Sequence, residues 1–450
     1  MPRITRRAAL ASFAAPFVWR LHAHAAPSDT VIHASFGAGG MAGSDIGSLT
    51  RSKNLKLVAV AEVDQNNGNL AKLKTAHPEL RVYSDYRELL DKEKDLNSVN
   101  VSTPDHMHAP IAMAAMNRGL NVYGQKPLTQ TIHEARRLTE VAAAKKLVTQ
   151  MGIQVHSSRS HKLIPELVHG GAIGKVMEVH SWSGKSWGDT KPKPSKTDAV
   201  PKGFDWNLWL GVAAERPFIQ GYYHPGEWRK RLDFGTGTFG DMGCHILDPV
   251  FAALGVGNPS SIRSEIDAAP NAYNWSLDVR VKYVFPGSKH TTDTVSLTWY
   301  NGSARPPEEV IKRAGLRLIK PGEKFDIKTH LDGQGSILIG TKGVMYSPYD
   351  HGATPVLLPA EQFKDFKTPD TKGDDHYLQY VEAVRGKATT SAPFGYSGPL
   401  TEMVLLGCLA TRFPKVDLAW DTKALKVTNL DAANAFVKKT YRKGWEVEGL

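Results

Sequence analysis

Apolar and polar positions along the chain follow two different rhythms. From residue 31 to about 152, apolar runs such as VIHASF from Val31 and LKLVAVA from Leu55 are separated by stretches of helical spacing at 66–76, 85–92 and 109–119. Apolar strands joined through helices predict a parallel sheet covered on both faces, with further strands at 82–83, 96–103 and 121–123. After residue 152 the rhythm changes: β-branched and aromatic runs at 176–182, 279–285, 292–300 and 336–346 predict the strands of a second sheet. Helices are expected at 159–171, 238–254, 374–386 and 399–412, with the tail after Trp420 packing back on the body. Residues 187–204 are too long and polar for a tight connection, and predict an ordered rim loop or a flap.

The turn after the first strand is rich in glycine. Gly37, Gly39 and Ala42 fit G-x-G-x-x-(G/A), in which the first glycine permits a tight turn and the second lets backbone approach a pyrophosphate. The small third residue lets the following helix pack on the strand and aim its free N–H groups at phosphate. The run from Leu55 ends in Asp64, at the distance where a carboxylate takes the hydroxyls of a ribose. Gln65, Asn66 and Asn67 follow, with no arginine to hold a 2′-phosphate, so NAD is expected in preference to NADP. These features predict an α/β chain with a doubly wound Rossmann domain over 31–152 and a substrate domain over 153–450.

Composition narrows the setting. With 450 residues, 41% of them hydrophobic, the chain can bury a full core, and no run of apolar residues is long enough to span a membrane. Thr5-Arg6-Arg7 precedes a weakly apolar stretch at 8–19, and Ala23-His24-Ala25 offers a cleavage site, so residues 1–25 read as a twin-arginine export signal. That implies passage through the twin-arginine translocase to the periplasm, with the protein already folded and its nucleotide aboard. Removing this segment, with four arginines and no acid, reduces the formal charge from +11 to +7. This mildly basic balance comes with no nucleic-acid reader motif. Two cysteines, Cys244 and Cys408, make no disulfide scaffold.

Chemistry-bearing residues gather at expected strand ends. Thr103-Pro104-Asp105-His106-Met107-His108 follows one strand, where an open parallel sheet takes its ligands. His106 and His108 stand two apart with no further ligand to complete a set, so no metal site is expected, and His108 is placed at the nicotinamide edge. Lys126, followed by the φ-fixing Pro127, lies at the end of the next strand, where partial burial would suit it to proton transfer or to polarising a hydroxyl. Gln154 is expected at the nicotinamide and His156 near the substrate. In the second half, Asp241 and His245 are four apart in a helical segment and share a face, the geometry for a carboxylate and an imidazole to meet one hydroxyl. Tyr222, Trp228 and Arg229 supply the aromatic planes and polar heads that a sugar ring wants.

Gly37-Ala38-Gly39-Gly40-Met41-Ala42, Asp64, Thr103-Pro104 and Gln125-Lys126-Pro127, with Gly235-Thr236-Gly237 and Asp241-Met242-Gly243-Cys244-His245, resemble the Gfo/Idh/MocA oxidoreductases. The chain looks especially like an exported subgroup, through Asp205-Trp206-Asn207-Leu208-Trp209-Leu210-Gly211, Trp228-Arg229, Leu297-Thr298-Trp299-Tyr300 and Tyr441-Arg442-Lys443-Gly444-Trp445. The resemblance implies an open, largely antiparallel sheet in the second domain and homo-oligomers through it. It also implies cofactor contacts from Gly40, Met41, Ser102 and Gln125, and a hydride exchanged between NAD and a sugar or polyol carbon, with Lys126, Asp241 and His245 catalytic and His245 the base. One departure stands out: the commoner motif is E-K-P, and Gln125 replaces its acid. Because free NAD is scarce outside the cytoplasm, a carried cofactor must return to its starting state. Such a chain either couples two sugars or works redox-neutrally as a glycosidase or epimerase through a transient ketone. A non-catalytic sugar-binding protein that keeps its nucleotide is the remaining alternative.

Overall fold

The computed structural model describes residues 29–349 and 353–450, so the export segment expected at 1–25 lies outside the described residues. The first sheet consists of β1 (Val31–Phe36), β2 (Leu55–Ala61), β3 (Arg81–Tyr83), β4 (Ser98–Val101), β5 (Asn121–Gly124) and β6 (Thr149–Met151). All pairings are parallel and the order is β3-β2-β1-β4-β5-β6, the doubly wound Rossmann arrangement. Its helices are α1 (Gly40–Leu49), α2 (Gly68–Ala76), α3 (Tyr86–Lys92), α4 (His108–Asn117) and α5 (Ile132–Lys145). Side-chain caps set several starts: Asn67 accepts from the Asn69 N–H, Asp85 from the Arg87 N–H, and Thr131 with Glu134 closes a capping box.

In the second half come α6 (Arg159–His169), β7 (Val176–Ser183), α7 (Trp206–Leu210), α8 (Gly237–Ile246), α9 (Asp248–Leu254), β8 (Ser261–Ser264), β9 (Val279–Pro286), β10 (Thr291–Asn301) and α10 (Glu308–Arg313). A small pair, β11 (Arg317–Leu318) and β12 (His330–Leu331), precedes β13 (Gln334–Gly340), β14 (Val344–Pro348) and β15 (Val356–Leu358). The chain closes through α11 (His376–Val384), α12 (Phe394–Ala410), β16 (Asp417–Asp421) and β17 (Lys426–Val427). Nine strands form one sheet in the order β15-β14-β13-β7-β10-β9-β8-β16-β17, antiparallel except for the β7–β10 pair.

Two expected elements divide. The run at 336–346 is a hairpin, β13 and β14, turning at Thr341-Lys342-Gly343. The helix expected over 238–254 breaks at Leu247, because Pro249 at the start of α9 has no N–H to continue the ladder of α8. The whole of α8 is buried, with Phe239 stacked at 4.8 Å on Trp299 of β10. This anchors α8 to the second sheet while Asp241 and His245 share its other face.

The stretch at 187–204 is a rim loop laid against the body. Asp189 takes a hydrogen bond from Arg231 at 2.9 Å, and the Asp198 N–H donates to the Phe218 carbonyl at 2.9 Å. The tail returns to the first domain, where Trp445 is buried.

Candidate active site

The glycine turn lies at the C-terminal edge of the first sheet. Gly37 has φ +99°, and a Cβ there would stand 2.9 Å from the Ser102 carbonyl oxygen, so neither conformation nor space admits a side chain. Gly39 begins α1 without a side-chain cap, leaving the first N–H groups of the helix for a ligand, with Gly40 and Met41 in the opening turn. The acid that faces this turn is Glu62, one residue past β2: its carboxylate accepts from the Ala38 N–H at 2.8 Å and from the Asp64 N–H at 2.9 Å. Burial pushes its carboxyl up, against those hydrogen bonds.

Asp64, expected at the ribose, turns the other way. It pairs across an isolated bridge with Phe204, and its carboxylate stands 3.2 Å from His224 Nε2. The chain has already left the strand direction at Asp64, and the side chain follows the turn.

An apolar slot of about 60 Å³ opens beside the turn, lined by Val63, Thr103, Pro104, Met107, Trp209 and Trp445 among others. The residues present fit a dinucleotide: the free N–H groups of α1 would take its phosphates, Glu62 its ribose hydroxyls, and the apolar lining of the slot the flat face of a base. Trp445 comes from the far end of the chain and carried no signal for this place.

His108, expected at the nicotinamide, is a strut. Its ring nitrogens stand 2.7 Å from the Pro127 carbonyl and 2.7 Å from the Thr103 carbonyl, which joins the two loops and leaves no nitrogen for a cofactor. Ser102 likewise turns inward, its hydroxyl donating to Asp45 at 2.7 Å. Asp45, on α1 and fully buried, also accepts from Gln125 Nε2 at 2.9 Å and from the Tyr377 hydroxyl at 2.9 Å, and Gln154 donates to that hydroxyl at 3.0 Å. Burial pushes the Asp45 carboxyl up to about 6. Gln125 in turn accepts from the Lys126 N–H at 3.1 Å, and a Cβ on Gly152 would stand 2.6 Å from Gln125 Nε2.

Lys126, Asp241 and His245 come together. Lys126 Nζ donates to Asp241 Oδ1 at 2.6 Å and to the Asp241 carbonyl at 3.0 Å, both side chains being almost buried. Trp187 Nε1 donates to Asp241 Oδ2 at 2.9 Å. Burial would raise the Asp241 carboxyl, but the charges of Lys126, Arg229 and Lys185 hold it well below the usual carboxylate range. His245 is kept neutral, first by burial and then by the charge of Lys126, and its Nδ1 is buried without a hydrogen-bond partner.

Of the expected substrate residues, Arg229 is here, its Nε 3.7 Å from Asp241 Oδ1, and its guanidinium lies over the Trp228 ring at 4.2 Å. His156 is tied instead to Asp248, with Nδ1 2.9 Å from the carboxylate, and Tyr396 donates to the same carboxylate at 2.6 Å. Tyr222 is corrected to a core residue: it packs edge-on against Tyr223 within the aromatic cluster of Trp206, Trp209 and Phe234, and the Arg231 guanidinium covers its ring at 3.6 Å. The sequence did not single out Trp187 or His161. The latter's Nδ1 stands 3.5 Å from Asp248.

Residues 33–153 match the Gfo/Idh/MocA profile described as an oxidoreductase family, NAD-binding Rossmann fold, and residues 158–285 match the companion oxidoreductase family, C-terminal alpha/beta domain. The chain belongs to the Gfo/Idh/MocA oxidoreductase family. Levoglucosan dehydrogenase of Pseudarthrobacter phenanthrenivorans is 23% identical over 165 residues, which is 37% of this chain and 34% of that protein. Inositol 2-dehydrogenase of Salmonella typhimurium is 30% identical over 146 residues, 31% of this chain and 42% of that protein. The chain thus spans less than half the length of these curated relatives. The WlbA dehydrogenase of Bordetella pertussis, solved with NADH and UDP-GlcNAcA, shares the fold, with a TM-score of 0.58 at 13% identity over 87% of this chain and 99% of that one. The NAD-binding domain of the family is therefore that of residues 33–153, the domain that carries the glycine turn and Glu62.

Proposed function

We propose that this oxidoreductase exchanges a hydride between NAD and a hydroxyl-bearing carbon of a sugar or polyol. The observation that carries this reading is the convergence of Lys126, Asp241 and His245 beside the nucleotide turn. A bound nicotinamide supplies the two-electron acceptor or donor. The remaining work falls to side chains. His245, kept neutral by burial and by the charge of Lys126, takes the hydroxyl proton. Lys126, held by Asp241, supplies the N–H that polarises the substrate oxygen, and Asp241 keeps the ammonium in place. Glu62 at the turn accepts from ribose hydroxyls and repels a 2′-phosphate, which favours NAD over NADP.

Support for a sugar or polyol comes from the levoglucosan and inositol dehydrogenases among the relatives and from the indoles beside Arg229. The Arg6-Arg7 segment supports export by the twin-arginine translocase to the periplasm with NAD aboard. Association with a second copy is proposed through the open sheet face, which carries Arg280 and Lys282 of β9 while Val281 and Tyr283 point to the buried face.

The test begins with the purified mature protein, denatured to identify and count released nucleotide. Intact protein is then offered free sugars, polyols and aryl glycosides while reduced nicotinamide is followed by absorbance. Bound NAD reduced by one sugar and reoxidised by another supports the reading. Glycoside cleavage without net reduction selects the redox-neutral course. Absence of nucleotide together with failure to bind added NAD refutes it.

A further inference from the structure

Three cations meet one carboxylate at the reacting end of the site. Asp241 has Lys126 Nζ at 2.6 Å, Arg229 Nε at 3.7 Å and Lys185 Nζ at 4.0 Å. Lys126 is committed to this pair by two hydrogen bonds. Arg229 and Lys185 are not: their side chains are 29% and 50% exposed, and among the described residues neither has a second carboxylate within 4.0 Å. The neighbouring acids are occupied, Asp248 by His156 and Tyr396, Asp189 by Arg231, and Glu227 by Lys230. Asp105, whose carboxyl also feels Arg229 and Lys126, is buried, accepts from the Thr236 hydroxyl and is pushed toward its neutral form by burial, so beside Asp241 positive charge stays in surplus where a substrate enters.

The Arg229 side chain is also held ready. Its guanidinium lies over Trp228 at 4.2 Å and near Trp187 at 5.4 Å. Both indoles are fixed, Trp228 by donating to the Pro225 carbonyl at 3.2 Å and Trp187 by donating to Asp241 at 2.9 Å. Among the described residues no hydrogen bond uses the terminal N–H groups of Arg229, although the fork is positioned and partly exposed. A planar fork with free donors matches the two oxygens of a carboxylate, and little side-chain freedom is left to lose on binding. A neutral sugar would leave both the fork and the charge surplus unanswered.

From this we infer that the substrate is an anionic sugar bearing a carboxylate, of the uronate or aldonate class, with that carboxylate seated on Arg229 and Lys185. The inference rests on reading Lys126, Asp241 and His245 as the reacting end.

The test uses the mature, nucleotide-loaded protein and matched pairs: glucose and glucuronate, galactose and galacturonate, with glucose 6-phosphate as a phosphate arm. Two readouts run in parallel: binding by calorimetry, and reduction of the bound nucleotide. Uronates should bind about tenfold or more tightly than their neutral partners, a preference that added salt weakens. In Arg229→Gln the ratio of uronate to neutral affinity should fall toward one, and Lys185→Met should reduce it in part. Retained nucleotide stoichiometry and an unchanged circular dichroism spectrum show that each variant is folded. Arg229-dependent uronate binding without any reduction upholds the carboxylate inference and refutes the oxidoreductase reading. Equal handling of both members of each pair, or a phosphate preferred over both uronates, overturns the carboxylate inference whether or not turnover is seen.

Discussion

Replacing Asp45 by asparagine should stabilise the protein increasingly as pH rises from about 4 to about 6. Asp45 is fully buried, and burial outweighs its hydrogen bonds from Ser102, Gln125 and Tyr377, which raises the carboxyl from 3.8 to about 6. The sign follows from the two states. Below about 3.8 the group is protonated both folded and unfolded, and its contribution to stability is present in full. As pH rises the unfolded chain releases its proton first, so stability is lost until the folded group ionises near 6. At about 1.4 kcal/mol per tenfold difference in proton affinity, the loss amounts to about 3 kcal/mol.

Asparagine carries no such charge. Its carbonyl oxygen can keep the bonds from Tyr377 and Gln125, and the Ser102 hydroxyl can turn to accept from the new amide. The weakened bonds cost about 1 kcal/mol at every pH. Asp45→Asn is thus expected to be slightly less stable than the native chain at about pH 4 and about 2 kcal/mol more stable at about pH 7. Urea unfolding of both proteins in parallel at one NAD concentration, with the NAD affinity of each measured at each pH so that ligand linkage is subtracted, reads the difference. A difference that stays constant within about 0.5 kcal/mol across that range would show that burial does not govern this carboxyl, and the reasoning would fail.

Lys126→Met should lower turnover by about a hundredfold or more while the bound nucleotide remains stoichiometric, measured by denaturation and nucleotide count beside steady-state rates. Because burial and Lys126 hold His245 neutral well below the ordinary histidine range, kcat/KM should not fall between about pH 7.5 and about pH 6, whereas an acid limb there would contradict its role as base. Glu62→Gln should weaken NAD by about tenfold and narrow the preference over NADP, and Asp64→Asn should do neither, as read by equilibrium titration. Trp445→Ala opens the apolar slot and should speed NAD release by about tenfold in a stopped-flow chase, with the same NAD stoichiometry at saturation.

What the sequence disclosed, and what it withheld, follows from the range over which each interaction acts. The parallel sheet was legible because strands covered on both faces read as apolar runs, and the glycine turn because φ at Gly37 constrains residue type locally. The β13–β14 hairpin carries a local signal, the polar Gly340-Thr341-Lys342-Gly343 between two apolar runs, which a reading of 336–346 as one strand passes over. Glu62 and Asp64 present the same chemistry two residues apart, and the place where the chain leaves β2 decides which one faces the turn. Lys126, Asp241 and His245 could be nominated from their motifs, but Trp187 and His161 reach the site through tertiary closure and have no local signature, and the motif that holds Trp445 does not say where it packs. Gln125 shows how far a one-dimensional reading reaches. Along the chain it stands as the loss of the acid in E-K-P. In space the carboxylate is present, supplied from α1 by Asp45, which orients Gln125 so that its carbonyl oxygen accepts from the Lys126 N–H. In this chain a carboxylate thus lies across the turn, within reach of the residue that holds the lysine's backbone.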